Sequence, residues 1–143
     1  MKKIFIQSNS SIKEALRQLD KTSEGCLIVV NKKNKLLGTL SDGDLRRIIL
    51  KGKLINDKIN GIYEKKPTFI KKENYSLNHI KDLFFKKMID VIPIVDNSKK
   101  VIDLIFFSEL FKKNKNNKHA KNLSTVVVIM AGGKGTRLEP FTN

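Results

Sequence analysis

The sequence predicts a mixed α/β (α+β) fold built twice over, each unit running β-α-β-β-α. Three observations carry this. The chain repeats itself without a gap at an offset of 65 residues, the apolar runs within each copy switch between strand and helix spacing, and a polar turn separates the last two strands of each copy. At that offset "CLIVVNKKNKLLG" lies over "VIPIVDNSKKVID", with Ser11 over Ser76 and Asp44 over Glu109. With 143 residues, 40% of them hydrophobic, the chain can bury one core, or two small ones that share an interface.

Each copy opens on a short strand, Ile4-Phe-Ile6 and Thr68-Phe-Ile70. A helix follows from Ser11, where Ile12, Ala15, Leu16 and Leu19 have helical spacing. Ser11 with Glu14 three residues later makes a capping box there. Ser76-Leu-Asn-His-Ile-Lys-Asp-Leu-Phe84 is its counterpart. The runs from Cys26 and from Val91 then read as strand, polar turn, strand and a closing helix. One such unit buries too little apolar area to stand alone, so the two should pack as a pseudo-two-fold pair. Phe84, Phe85, Phe106, Phe107 and Phe111 are expected in the core or an interface. The expected organisation is unit 1 over 1–56, unit 2 over 57–113, a basic linker over 114–123, and the start of a further domain over 124–143.

Composition sets limits on function. The charged fraction of 30% with clear apolar periodicity argues for a folded chain. No apolar run approaches the roughly 18 residues of a membrane helix, and the start "MKKIFIQ" turns polar too soon for an export signal. The expected location is therefore the cytoplasm, with no membrane partner. Cys26, the single cysteine, has no partner for an internal disulfide and reads as a small buried hydrophobe. The net charge of +15 would suit a polyanion, but the lysines are scattered along the chain, which disfavours nucleic acid. The densest stretch, Lys112 to Asn122, has five lysines and no acid, and reads as a solvated tether.

Two residues at the end of the second hairpin strand of unit 1 carry potential chemistry. Ser41 sits where strand gives way to helix, and free N–H groups at a helix start favour phosphate. Asp44, one turn in, has the reach to accept hydrogen bonds from both hydroxyls of a ribose. Arg46 and Arg47 follow as candidate phosphate ligands. The competing reading makes Ser41 an ordinary N-cap and Asp44 a favourable first-turn charge.

The tandem units, and the segment "GTLSDGDLRR" from Gly38, resemble a pair of CBS domains, the regulatory Bateman module. The resemblance covers residues 1 to about 113 and is stronger in the first copy. It implies an adenosine-type nucleotide (AMP, ADP or ATP) as regulatory ligand in the cleft between units, with no metal. Carried onto this chain, Ser41 and Asp44 would face Thr68 and the strand from Ile89, with Ile89 and Val91 against the base and backbone around Asp90 reading its edge. Lys65 or Lys66 would add charge near the phosphates. It also implies a homodimer packed through helices such as Leu45–Leu50 and Leu83–Met88. The second copy departs from the pattern, with Asp103, Phe106 and Glu109 in place of Gly38, Ser41 and Asp44. One competent site is expected. A ligand-free structural dimerisation module and a salt-sensitive polyanion binder are the rival readings.

The chain ends on a β-branched strand pattern, Ser124 to Ala131, feeding "GGKGTRL". Glycines there let backbone N–H groups approach phosphates, although neither a Walker loop nor Gly-x-Gly-x-x-Gly is matched. The full string "AGGKGTRLEPFT" resembles the opening signature of sugar-1-phosphate nucleotidyltransferases. By that resemblance Gly132, Gly133, Lys134, Gly135, Thr136 and Arg137 would form a triphosphate loop. Magnesium would enter only in a full-length enzyme. Without the remaining metal ligands and substrate walls the loop cannot position a displacement, so no catalytic residue and no transferase activity are expected of this chain. The expectation is the N-terminal regulatory part of a bacterial nucleotide-sugar enzyme, truncated where its catalytic domain begins.

Overall fold

The computed structural model describes residues 4–73 and 76–112, in two three-stranded sheets that follow the repeat. The expected linker over 114–123, and the segment 124–143 with Gly132, Gly133, Lys134, Gly135, Thr136 and Arg137, lie outside the described residues. In unit 1 the order is β1 (Phe5–Gln7), α1 (Ile12–Thr22), β2 (Cys26–Val30), β3 (Leu36–Ser41) and α2 (Asp42–Leu50). In unit 2 it is β4 (Ile70–Lys71), α3 (Leu77–Lys87), β5 (Val91–Val95), β6 (Val101–Phe106) and α4 (Phe107–Lys112). Each sheet runs in chain order, its first strand parallel and its third antiparallel to the middle one.

The 65-residue offset reaches down to single backbone groups. Asn31 Oδ1 accepts from the N–H groups of Lys33 and Lys35, and Asp96 Oδ1 accepts from those of Ser98 and Lys100. Asn34 and Lys99 both take positive φ in these turns, and Ser23 and Met88 both do at the ends of α1 and α3. A register shift falls between Val29 and Val30 in one sheet and between Ile94 and Val95 in the other. The turns also clasp each other: Leu36 N–H donates to Lys99 O at 2.9 Å, and Val101 N–H donates to Asn34 O at 3.0 Å. These are the same bond related by a pseudo-two-fold axis that passes between Lys35 and Lys100.

The capping box at Ser11 is present, with Ser11 N–H 2.7 Å from Glu14 Oε2 and Glu14 N–H 3.2 Å from Ser11 Oγ. Ser76, its counterpart, makes no side-chain cap. The opening strand of unit 2 is shorter than the pattern Thr68–Ile70 suggests, and Pro93 explains why. In unit 1, Ile28 N–H donates to Ile4 O at 2.8 Å. The residue equivalent to Ile28 is Pro93, which has no N–H, so the ladder starts only at Ile70 opposite Ile94. Thr68 and Phe69 are left outside the strand.

One core joins the units. Ile12, Leu27, Ile28 and Leu40 are fully buried, and Val91, Val95, Val101 and Phe106 from unit 2 pack into the same cluster. A smaller cluster around Ile80, Phe84 and Ile92 lies under α3. Phe84 and Phe106 are buried, whereas Phe85 is 60% exposed and stands edge-on to the half-exposed Phe107. Residues 55–64 lie against unit 1. Asp57 O and Ile55 O accept the otherwise unpartnered N–H groups of Ile12 and Lys13 at the start of α1. Further on, Glu64 and Thr39 exchange N–H···O bonds of 2.9 and 3.1 Å. Gly38 permits that crossing, because a Cβ at 38 would collide with Glu64 O and the Tyr63 ring.

Candidate ligand cleft

Ser41 ends β3 with extended φ and ψ and caps α2. Its hydroxyl and its N–H donate to Asp44 Oδ2 at 2.7 and 2.9 Å, while Asp44 N–H donates back to Ser41 Oγ at 3.1 Å. The N-cap reading is thus realised, and its geometry turns Asp44 toward a cavity. Asp42 N–H, the first of the helix, is taken by Gly25 O at 3.1 Å. Phe107 N–H makes the matching bond to Asp90 O at 2.9 Å in unit 2.

That cavity, of about 250 Å³, opens between the units. Cys26, Thr39, Ser41 and Asp44 line it from unit 1. Thr68 and the stretch Met88 to Val91 line it from unit 2. The structure therefore brings together Ser41, Asp44, Thr68, Ile89, Asp90 and Val91 in one wall-to-wall site. Arg46 and Arg47 are not in its lining. Arg46 pairs with Asp42 and Arg47 with Asp44, each at 2.6 Å. Lys65 and Lys66 border a separate depression of about 260 Å³, with Leu36, Pro67, Phe69 and Lys99. Among the described residues no group of three His, Cys, Asp or Glu side chains is placed to hold a metal ion.

Three lining residues were not singled out as site residues from the sequence. Thr39 was detectable, since alternation along β3 puts it on the same strand face as Ser41. Cys26 has the sequence signature of a core residue; it is half-buried and faces the cavity, beside Asp90 and Asp44. Met88 carried no signal at all: it sits at the end of α3 with φ 48° and is 92% exposed at the rim.

The site's electrostatics follow from these contacts. Burial raises the Asp44 carboxyl, but the hydrogen bonds from the Ser41 hydroxyl and N–H and from Arg47 outweigh it and hold the group below the usual carboxylate value. Burial pushes the Cys26 thiol up to about 12, with the Asp90 and Asp44 carboxylates adding to the effect and a backbone hydrogen bond at Leu40 opposing it. The thiol is therefore held in its neutral form near neutral pH, which lowers its reactivity. A neutral thiol, three hydroxyls, two carboxylates and an apolar strand make a surface that suits a polar ring system bearing hydroxyls.

The cavity thus lies in a cleft between two like units, with a capped aspartate in its wall. Residues 1–51 match the family model described as "CBS domain". A Helicobacter pylori protein of uncharacterised function is 30% identical over 108 residues, which is 76% of this chain and 33% of that protein. The chain thus spans about a third of the length of the curated relative it matches. The CBS domains of a Streptococcus pneumoniae transcriptional regulator superpose with a TM-score of 0.65 at 11% identity, covering 76% of this chain and 86% of that one. The cytosolic domain of the Mg2+ channel MgtE, solved in complex with ATP, superposes with a TM-score of 0.62 at 18% identity, covering 76% of this chain and 44% of that one. These likenesses establish the CBS-like α/β fold. Among the described residues no helix is long and apolar enough to cross a membrane.

Proposed function

We propose that this chain is a tandem CBS module that senses an adenosine-type nucleotide in the inter-unit cleft and regulates an attached enzyme domain in the cytoplasm. The observation that carries the reading is the convergence of Ser41 and Asp44 from one unit with Thr68, Ile89 and Asp90 from the other on a single cavity. Asp44 would hold ribose hydroxyls, and Ile89, Val91 and Met88 supply apolar surface for a base. The MgtE domain, of the same fold, was solved with ATP, which favours a nucleotide over other ring systems. One competent site is proposed, since Phe106, equivalent to Ser41, is spent in the shared core at 6% exposure.

The attached enzyme is proposed to be a sugar-1-phosphate nucleotidyltransferase, on the resemblance of the string from Ala131 to Thr142, with no catalysis by this chain itself. Homodimerisation through the outer helices is part of the proposal. Leu50 on α2 and Phe85 on α3 are exposed large apolar residues, and ligand-free dimerisation is the rival that these two favour.

Thermal unfolding of the chain with AMP, ADP, ATP, GTP and plain phosphate, alongside Asp44→Ala, tests the reading. A ligand at 100 times its dissociation constant contributes about 2.7 kcal/mol, a rise of several degrees for a domain of this size. The expected result is a rise with an adenine nucleotide that is lost in the variant and absent with phosphate. No rise with any nucleotide would leave the structural module as the reading.

A further inference from the structure

Asp44 has two oxygens, and the structure divides them. Oδ2 accepts both bonds from Ser41, the N–H at 2.9 Å and the hydroxyl at 2.7 Å. Oδ1 is the oxygen that Ser41 leaves open, and Arg47 Nη2 holds it at 2.6 Å. A ribose hydroxyl that donates to Asp44 therefore competes with Arg47 at Oδ1, the oxygen Ser41 leaves open. The Arg47 side chain is 68% exposed and that of Asp44 26%, so the guanidinium comes from the solvent side while the carboxylate lies in the cavity wall. An exposed ion pair of this kind is weak and easily exchanged. A phosphate offers the same guanidinium two or more anionic oxygens in a bidentate geometry, a stronger contact than one carboxylate oxygen. The other lining groups that titrate, Asp90 and Cys26, bring no positive charge to the cavity.

We infer that Arg47 is a latch that makes the site selective for phosphorylated ligands: it occupies Asp44 Oδ1, and it is drawn off only when a ligand's phosphate takes the guanidinium. The inference rests on the nucleotide reading above. It separates two roles that a simple binding arginine would combine. Removing a binding arginine weakens phosphorylated ligands and leaves the bare nucleoside unchanged. Removing a latch weakens the phosphorylated ligand and strengthens the nucleoside, because the competitor for Asp44 has gone.

The experiment is calorimetric titration of the full chain with adenosine and with AMP, for the parent, Arg47→Gln, and Arg17→Gln as a charge-matched change on the exposed face of α1. The expected result in Arg47→Gln is AMP weakened about tenfold, as for loss of a charge-assisted contact, and adenosine tightened about threefold, as for loss of an exposed pair. Arg17→Gln should leave the ratio of the two affinities unchanged. Adenosine binding unchanged or weakened in Arg47→Gln, with AMP still bound by the parent, overturns the latch and leaves the nucleotide reading standing. Neither ligand binding to the parent overturns both.

Discussion

Gly25 and Asp90 hold the same position in the two copies and touch each other: a Cβ on Gly25 would lie 2.7 Å from Asp90 Oδ2. The missing side chain at 25 is what lets the Asp90 carboxylate rest at the cavity. Both residues are exposed, so Asp90 has room to turn outward. Gly25→Ala is expected to change stability by less than about 1 kcal/mol while moving the carboxylate away from the site. Denaturant unfolding beside AMP titration checks this, with Asp90→Ala as background; in that background Gly25→Ala should be silent in both. A large loss of stability from Gly25→Ala alone would show that the contact is not so easily relieved.

Gly38 is the opposite case. The atoms that a Cβ would strike belong to the Glu64 backbone and the Tyr63 ring, and the backbone cannot rotate out of the way. Gly38→Ala should cost about 1–3 kcal/mol by overpacking and break the Thr39–Glu64 pair. Amide exchange at Thr39 and Glu64 reads the second effect directly, and retained protection there would contradict it.

Ser41→Ala removes the cap and the hydroxyl that donates to Asp44. The expected loss is about 1 kcal/mol near neutral pH. The pH dependence has a definite sign. Asp44 has a depressed value in the folded state, so its contribution is present above the unfolded carboxylate value of about 3.9 and is lost as pH falls through the lower folded value. In Ser41→Ala the folded value moves up, and the stability gap between the proteins should close as the pH is lowered. Unfolding free energies between pH 2 and 7 test it; a constant gap would argue against the Ser41 bonds as the cause.

Cys26 should resist alkylation. With the thiol raised to about 12, the thiolate fraction at pH 8 is about 10⁻⁴, against roughly a quarter for a free thiol of ordinary value. Iodoacetamide labelling should be correspondingly slow, rise about tenfold per pH unit, and slow further when a ligand fills the cavity it lines. Labelling at the rate of a free thiol would mean that the cleft is open to solvent at Cys26.

Most of the architecture was legible because the repeat doubles every local signal. The Ser11 cap, the strand from Cys26 and the loss of a second Ser41-type cap at Phe106 each follow from residues close in sequence. The gathering of Ser41 with the strand from Ile89 is different: residues 48 apart meet there, and only the resemblance to paired CBS domains implies it. The shortened β4 was legible in principle through Pro93, but only by asking which N–H its counterpart Ile28 uses. Arg46 and Arg47 were another matter. Their reach allows a phosphate or an acid on their own helix, and only the folded geometry shows Asp42 and Asp44 as partners. The course of residues 55–64 across unit 1 rests on backbone hydrogen bonds, which no side-chain pattern announces.

The clasped turns near Lys35 and Lys100 tie the two copies to one length. Leu36 N–H must find Lys99 O while Val101 N–H finds Asn34 O, so an extra residue in either turn would carry one carbonyl past its donor and strand both bonds at once. Side chains on the two copies are free to diverge, as Ser41 and Phe106 have, but the length of the turn is not. That is a mechanical reason for the offset of 65 to hold across the two turns themselves, where Asn34 to Leu36 lie over Lys99 to Val101. The two halves behave as meshed gears, which can be cut from different metal but not with different numbers of teeth.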